Sequence, residues 1–297
     1  MRIGLHDGDG QTDFPNYALM KISAWHKAQG DKVEWYMPMM PYDKVYSSKV
    51  FTFTPVYKYL PADTIKGGTG YGLFEDLPAE IDAMFPDYSI YPNVDYAIGF
   101  LTRGCIRNCP WCVVPKKEGR IRPYRTWQEI KRQDSNKIVF MDNNILAHPC
   151  GIEQMESMIG QDVRIDFNQG LDARLVTKEI AKILGSLKWM RFIRTACDTD
   201  AAMDSVGKMV ELVKAAGVKP YRIMVYVMTK DLESGERRVN FLKKLGVDPY
   251  VQPFRDFEHN VEPPQILKDF ARYVNDKAIF KSIGSFAEYN KQTRYKK

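Results

Sequence analysis

The alternation of apolar and polar positions predicts a small α/β unit at the start of the chain. Arg2–Leu5 is a short apolar run typical of a strand, and a Gly- and Asp-rich loop follows it at His6–Asp13. Asn16 suits the N-cap of an amphipathic helix that continues to about Gln29, because apolar residues then recur at helical spacing. Lys32–Met37 predicts a second strand.

Two more strands are predicted before the pattern becomes irregular. They are Lys49–Thr54 and Asp63–Lys66, the latter ending at a Gly-Gly pair. Prolines then interrupt the chain at positions 55, 61, 78, 86 and 92. Because proline disfavours both helix and strand interiors, we interpret this stretch as a linker and expect residues 1–92 to form one small α/β domain.

From about residue 95 onward, strand-like and helix-like runs alternate six times. The predicted strands are Tyr96–Leu101, Lys137–Met141, Val163–Phe167, Met190–Arg194, Tyr221–Met228 and Pro249–Pro253. The predicted helices are Thr126–Gln133, Ile152–Ile159, Thr177–Leu187, Asp200–Ala216, Glu233–Leu245 and Pro264–Asn275. This alternation implies a parallel sheet with right-handed crossovers. Six units are too few for a closed eight-unit barrel, so residues 93–275 predict an open, partial (β/α) barrel, followed by a basic C-terminal extension at residues 276–297.

Length and composition narrow the class of protein. The 297 residues are 44% hydrophobic, which is enough for a sizeable core. No apolar run approaches the roughly 20 residues that a membrane span needs, and the N-terminus lacks a signal-peptide pattern. We therefore expect a cytoplasmic protein without a membrane partner.

The charge is distributed unevenly along the chain. Residues 1–100 contain 8 Lys and Arg against 13 Asp and Glu, whereas residues 101–297 contain 35 against 24. A basic half is compatible with nucleic acid or a small anionic substrate as partner. An ordinary solvated basic surface explains the same numbers equally well.

Three of the five cysteines lie within eight residues, in the run Thr102-Arg103-Gly104-Cys105-Ile106-Arg107-Asn108-Cys109-Pro110-Trp111-Cys112. In a reducing compartment, clustered cysteines indicate metal ligands rather than disulfides. The spacing is C-x3-C-x2-C, directly after the first strand of the β/α series. Three thiolates on one loop can hold three irons of a cubane cluster and leave one iron without a protein ligand.

This motif resembles that of the radical S-adenosylmethionine (SAM) superfamily in its spacing, in its position after the first strand and in the aromatic Trp111 before the third cysteine. The resemblance covers about residues 95–260. It implies a [4Fe–4S] cluster on Cys105, Cys109 and Cys112, with SAM bound to the open iron. An electron from a donor such as flavodoxin or ferredoxin then cleaves SAM to a 5′-deoxyadenosyl radical. The substrate stays open, with RNA or a nucleotide fitting the basic half.

The resemblance also implies that the ends of the second, third and fourth strands hold SAM. The candidate cofactor-binding residues are Trp111, Asp142, Asn143, Asn144, Asn168, Gln169, Arg174 and Arg194. The segment at residues 142–144 departs from the common Gly-Gly-Glu form, so its contact with the SAM amine differs in detail. Arg194 is favoured over Arg174 for the SAM carboxylate, because a guanidinium can pair with it bidentately. Tyr226, Gln252 and Arg255 are candidates for the substrate side.

Two alternative functions remain open at this stage. A zinc-stabilised nucleic-acid-binding protein would use the three cysteines with Cys150, Cys197 or His148 as the fourth ligand. A cobalamin-dependent radical SAM methyltransferase is suggested by residues 1–70, which loosely resemble a cobalamin-binding domain. The D-x-H-x-x-G pattern of that domain is missing at His6, so we expect a degenerate domain without cobalamin that caps the barrel or shapes the substrate site.

Overall fold

The computed structural model describes residues 1–10, 14–256 and 261–289, and within them the chain is a mixed α/β protein. The strands are β1 (Arg2–Asp7), β2 (Lys32–Trp35), β3 (Lys44–Ser48), β4 (Ile65–Gly67), β5 (Ala97–Gly99), β6 (Thr102–Arg103), β7 (Arg122–Pro123), β8 (Lys137–Phe140), β9 (Arg164–Phe167), β10 (Ile193–Ala196), β11 (Ile223–Thr229) and β12 (Asp248–Pro253). The α-helices are α1 (Tyr17–Ala28), α2 (Ala79–Asp82), α3 (Val114–Lys117), α4 (Trp127–Ile130), α5 (Pro149–Ser157), α6 (Lys178–Ser186), α7 (Met203–Ala215), α8 (Leu232–Leu245), α9 (Gln265–Asn275) and α10 (Lys277–Ser282).

The first sheet is parallel and has the strand order β2-β1-β3-β4. The predicted N-cap of α1 is confirmed, since the Asn16 side chain accepts a hydrogen bond from the amide of Leu19. The strand predicted at Lys49–Thr54 is wrong, because β3 ends at Ser48. The amides of Val50 and Phe51 donate instead to the carboxylate of Asp9, which removes them from the ladder.

The second half contains two three-stranded parallel sheets, in the orders β5-β8-β9 and β10-β11-β12. Isolated parallel bridges, Ile165 to Trp189 and Leu171 to Thr195, connect their neighbouring edges. The predicted α/β class with parallel sheets is therefore confirmed. The described residues do not form a closed barrel.

Helices α5 to α9 cover these two sheets and bury the main hydrophobic core, which includes Phe140, Phe167 and Leu242. Helix α1 faces both halves of the molecule: Leu19 and Ile22 pack with β1, whereas Met20 packs with Ile98 and Val139. The N-terminal unit therefore lies directly against the sheet that contains β5 and β8, the strands before and after the cysteine motif.

A buried lysine joins the two halves by polar contacts. Lys21 on α1 is fully buried, and its Nζ donates to the Asp82 carboxylate at 2.8 Å and to the Tyr124 hydroxyl at 2.9 Å. Burial lowers the pKa of Lys21 even though the Asp82 carboxylate opposes that shift. Tyr124 follows the loop that carries the cysteines, so the hydrogen bonds between its hydroxyl and the Lys21–Asp82 pair tie the N-terminal unit to that loop.

The ends of two sequence predictions lie outside the described residues. They are positions 11–13 of the Gly- and Asp-rich loop and the part of the basic extension from residue 290 onward. Before that point the extension forms α10. Over the described part of the chain, no helix has the length and apolar character required to cross a membrane.

Candidate functional site

The three clustered cysteines lie in a loop whose base is a short antiparallel pair. Strands β6 and β7 pair Thr102 with Pro123 and Arg103 with Arg122, which closes the loop between them. Gly104 is the first residue of the loop and has a φ of 88°. A Cβ at this position would lie 2.4 Å from the Arg120 carbonyl oxygen, so only glycine fits this entry into the loop.

The thiols of the loop are close enough to interact electrostatically. Cys105 and Cys109 are half-buried and Cys112 is exposed. Desolvation of the sulfur raises the pKa of Cys112, and the neighbouring Cys109 and Cys105 raise it further. In the part of the chain that the structure describes, no three Cys, His, Asp or Glu side chains form a ready-made metal site.

Two of the candidate residues after β8 hold the root of the loop. The buried Asp142 carboxylate accepts hydrogen bonds from the Thr102 amide at 2.5 Å, the Thr102 hydroxyl at 2.7 Å and the Leu101 amide at 3.0 Å. Burial raises the pKa of Asp142 to about 6. The Asn143 side chain accepts from the Gly104 amide at 3.2 Å. Both residues thus support the backbone that leads to Cys105.

Asn144 comes next and faces the first thiol. Its Nδ2 is 3.5 Å from the Cys105 sulfur and 3.4 Å from an oxygen of Asp172. The side chain is 3% exposed, and its Oδ1 has no hydrogen-bond partner among the described residues. An unsatisfied buried carbonyl oxygen costs about 1–3 kcal/mol, so a ligand that donates a hydrogen bond here would be stabilised.

Asp172 organises the polar side chains around this thiol. It accepts from Arg107 Nε at 3.0 Å and from Arg174 Nε at 2.6 Å, which connects the cysteine loop to the end of β9. Burial opposes ionisation of Asp172, but the hydrogen bonds from Arg174 and Arg107 outweigh it and hold its pKa below the usual value. The sequence indicated Arg174 but gave no role to Asp172.

Arg194 lies deeper and belongs to a second polar network. Its guanidinium makes two hydrogen bonds with Asp166, at 2.8 and 2.5 Å, and a third with the Tyr226 hydroxyl at 2.9 Å. Tyr226 in turn donates to the Asn168 carbonyl at 3.0 Å, and the Asn168 side chain accepts from Gln169 at 3.2 Å. This network lies within the sheets, because Asp166 is in β9 and Tyr226 is in β11. The prediction that Arg194 ends its strand is wrong: it is the second residue of β10.

Trp111 brings the cysteine loop close to the far sheet. Its indole ring is 37% exposed, and the Lys230 ammonium lies 5.2 Å from the ring centre. Lys230 directly follows β11 and also lies 4.3 Å from the ring of Phe254, directly after β12. Asn144, Asn168 and Lys230 each follow the carboxyl end of a parallel strand, the edge at which such sheets place ligands.

The remaining cysteines have separate surroundings. Cys197 is fully buried in the main core, as a small apolar residue would be. Cys150 is half-buried near the start of α5, where its amide donates to His148 Nδ1 at 3.1 Å. His148 thus acts as the N-cap of that helix.

Neither the comparison with models of known protein families nor the comparison with curated protein sequences gives a match for this chain. Among solved structures, the crystal structure of Streptococcus suis SuiB is similar over 64% of this chain and 48% of that chain. The sequence identity is 14% and the TM-score is 0.48. The matched part spans less than half of SuiB, and a similarity this low supports no conclusion about activity.

Proposed function

We propose that the chain is a radical SAM enzyme whose [4Fe–4S] cluster is held by Cys105, Cys109 and Cys112. The observation that carries the proposal is the position of the three-cysteine loop: it follows β5 at the carboxyl edge of a parallel sheet. Side chains from the end of the adjacent β8 hold the loop there. The loop supplies three thiolates, which can bind three of the four irons of a cubane cluster. The fourth iron is then open for SAM.

The residues around the cysteine loop suit both a [4Fe–4S] cluster and SAM. When bound, the cluster and SAM would supply reductive cleavage of SAM to a 5′-deoxyadenosyl radical. Arg107 and Arg174, paired with Asp172, add positive charge beside the thiols. The unpartnered Oδ1 of Asn144, next to Cys105, is an acceptor suited to an ammonium group such as that of SAM.

The proposal extends to the architecture. The strand order β5-β8-β9 followed by β10-β11-β12, joined by parallel bridges, supports an open partial (β/α) barrel over residues 93–275. Residues 1–92 would then be a degenerate cobalamin-binding-like domain, and residues 276–297 an extension. We propose a small electron-transfer protein such as flavodoxin or ferredoxin as the electron donor, and the cytoplasm as the location.

The iron and sulfide content of the protein and its cleavage of SAM together test the proposed function. Protein purified and reconstituted without oxygen is expected to contain a stoichiometric cluster and, after reduction with dithionite, to form 5′-deoxyadenosine from SAM. Chromatography of the products measures the second step. Failure of fully reconstituted, reduced protein to form deoxyadenosine would contradict the proposal. Colourless protein with stoichiometric zinc would support the zinc alternative, and a corrinoid spectrum the cobalamin alternative.

Removal of Arg174 or Arg194 is expected to weaken SAM binding. A charge-assisted hydrogen bond contributes about 1.5–3 kcal/mol, which corresponds to about 10- to 150-fold in affinity. We expect such a loss in Arg194→Ala, Arg174→Ala or both, measured by titrating SAM into reconstituted protein. Arg174 is the more accessible, with 52% side-chain exposure against 20% for Arg194.

The matched control is Arg191→Ala, because Arg191 is exposed and precedes β10, at the opposite edge of the sheet. Melting temperatures of all variants separate binding from folding, since loss of Arg194 leaves the Asp166 carboxylate unpaired. Wild-type SAM affinity in both Arg174→Ala and Arg194→Ala would show that neither arginine contacts the SAM carboxylate. The cluster assignment would survive that result.

A further inference from the structure

Aromatic rings and cations, some exposed and some half-buried, alternate along one rim of the molecule. The Lys230 ammonium lies between the rings of Trp111 and Phe254, at 5.2 and 4.3 Å from their centres. The next residue, Arg255, has its guanidinium carbon 4.6 Å from the ring centre of Phe53. The row therefore runs from the cysteine loop, past the ends of β11 and β12, to the N-terminal unit.

The far end of the row is a stacked pair of phenylalanines. The rings of Phe51 and Phe53 have centres 5.1 Å apart and planes inclined by 25°. Phe51 is 39% exposed and Phe53 is 46% exposed. The neighbouring Val50 is also exposed, so the rings belong to an apolar patch in which Phe51 presents flat apolar area to a ligand.

The Gly- and Asp-rich loop after β1 holds this aromatic pair in place. The Asp9 carboxylate is buried and accepts a hydrogen bond from the Thr54 hydroxyl at 2.6 Å, besides those from the amides of Val50 and Phe51. Three contacts from one carboxylate fix the backbone that presents Phe51 and Phe53. The loop that was conspicuous in the sequence thus supports the aromatic end of the row.

The charges of the row favour an anionic ligand. Lys230 is exposed, and within the described residues no carboxylate lies within ion-pair distance of it. Arg255 pairs with Glu262, so its charge is partly neutralised. Contact with aromatic rings orients the Lys230 ammonium but leaves its N–H groups free for an anion. In nucleic acids, flat bases that can stack on aromatic rings alternate with phosphate anions along the backbone.

We infer that this row binds single-stranded nucleic acid, with an unpaired base stacked on Phe51 and a backbone phosphate at Lys230. The inference rests on the proposed function in one respect: the strand would then pass beside the cysteine loop and would be the substrate. Stacking on exposed rings requires a base whose face is free, which favours a single strand over a duplex.

Oligonucleotide binding to reconstituted full-length protein tests the inference. Fluorescence anisotropy with a labelled single-stranded RNA of about ten nucleotides measures affinity at several salt concentrations. We expect Phe51→Ala to weaken binding about tenfold and Phe51→Tyr to retain it, since stacking on an aromatic contributes about one tenfold step or more per base. Lys230→Gln should reduce the slope of log affinity against log salt by about 0.7, the value for one phosphate contact, and Lys230→Arg should restore it.

Matched controls come from the opposite edge of the sheet. Lys219 and Tyr221 are exposed and precede β11, so Lys219→Gln and Tyr221→Ala should bind as the wild type does. Equal losses in Lys219→Gln and Lys230→Gln would overturn the inference, because binding would then be general electrostatic attraction. Wild-type binding by Phe51→Ala, or equal affinity for duplex and single strand, would also overturn it. A single-stranded DNA of the same sequence shows whether the site distinguishes the sugar.

Failure of this inference is separable from failure of the proposed function. Iron content and deoxyadenosine formation are measured on the same preparations. Protein that cleaves SAM but does not bind the oligonucleotide refutes the binding row alone. Protein that binds the oligonucleotide through Phe51 and Lys230 without cleaving SAM refutes the radical SAM assignment and leaves the binding row in place.

Discussion

Alanine at Cys105, Cys109 or Cys112 is expected to abolish cluster binding in each of the three single variants. A cubane held by three protein thiolates has no spare ligand, so removal of one leaves two irons without protein coordination. Iron and sulfide per chain after anaerobic reconstitution measure the loss directly. The effect should be close to complete, because the loop has no further cysteine to substitute.

The two remaining cysteines provide the controls. Cys150→Ala should retain a full cluster, since this thiol lies near the start of α5 and is not part of the loop. Cys197→Ala should also retain the cluster but lose some stability, because the thiol is fully buried in the core. A stoichiometric cluster in Cys109→Ala would contradict the assignment of the ligands. Loss of iron in Cys150→Ala would instead implicate a fourth cysteine ligand, which would leave no open iron for SAM.

The regular strands after residue 95 were predictable because each is a short apolar run between polar or turn-forming residues. β11 shows the principle most clearly, since buried and half-buried positions alternate over Ile223–Thr229 as one face packs on helices. The helices between the strands are amphipathic and begin at polar N-caps such as Thr177 and Asp231. Each of these signals depends only on residues that are close together in the sequence, so the elements can be predicted from the sequence alone.

The elements that the sequence did not predict depend on distant partners. β3 ends at Ser48 because Asp9, 41 residues from Val50, binds the amides that would continue the strand. Residues 50–53, which are rich in β-branched and aromatic side chains, gave a strand-like pattern although Phe51 and Phe53 are exposed. The pairing of β6 with β7 involves two residues on each side, too few to leave any periodic signal.

In the candidate site, too, local features were predictable from the sequence and contacts between distant residues were not. The cysteine spacing and the polar residues after each strand were visible in the sequence, because their positions follow from the order of the elements. The ion-pair partners were not visible. Asp172 pairs with Arg107 across 65 residues and Asp166 pairs with Arg194 across 28, and composition does not specify either choice. Whether Arg194 contacts SAM, as the sequence favours, stays a prediction.

Asp142→Ala is expected to lower the stability of the root of the cysteine loop by about 2–4 kcal/mol, because two buried backbone amides lose their acceptor. The carboxylate is 1% exposed and binds the amides of Leu101 and Thr102 as well as the Thr102 hydroxyl. Water has little access to the vacated position. Chemical denaturation of the cluster-free wild-type and variant proteins measures the change.

The dependence of this change on pH follows from the pKa of Asp142. Burial raises it to about 6, so between roughly pH 4 and pH 6 the folded state binds more protons at this group than the unfolded state does. The contribution of Asp142 to stability therefore falls as the pH rises through that range and is constant above it. We expect the difference between wild type and Asp142→Ala to be larger at about pH 4 than at about pH 7.

Amide hydrogen exchange locates the effect in the chain. In Asp142→Ala the amides of Leu101 and Thr102 should exchange faster than in the wild type, because they lose their acceptor. Amides in α9 should exchange faster only to the extent that the free energy of global unfolding falls. Asp162→Ala is the matched control: the Asp162 side chain is 81% exposed, and its loss should cost less than about 0.5 kcal/mol. If both variants unfold at the same denaturant concentration as the wild type, the Asp142 carboxylate does not hold the loop that carries the cysteines.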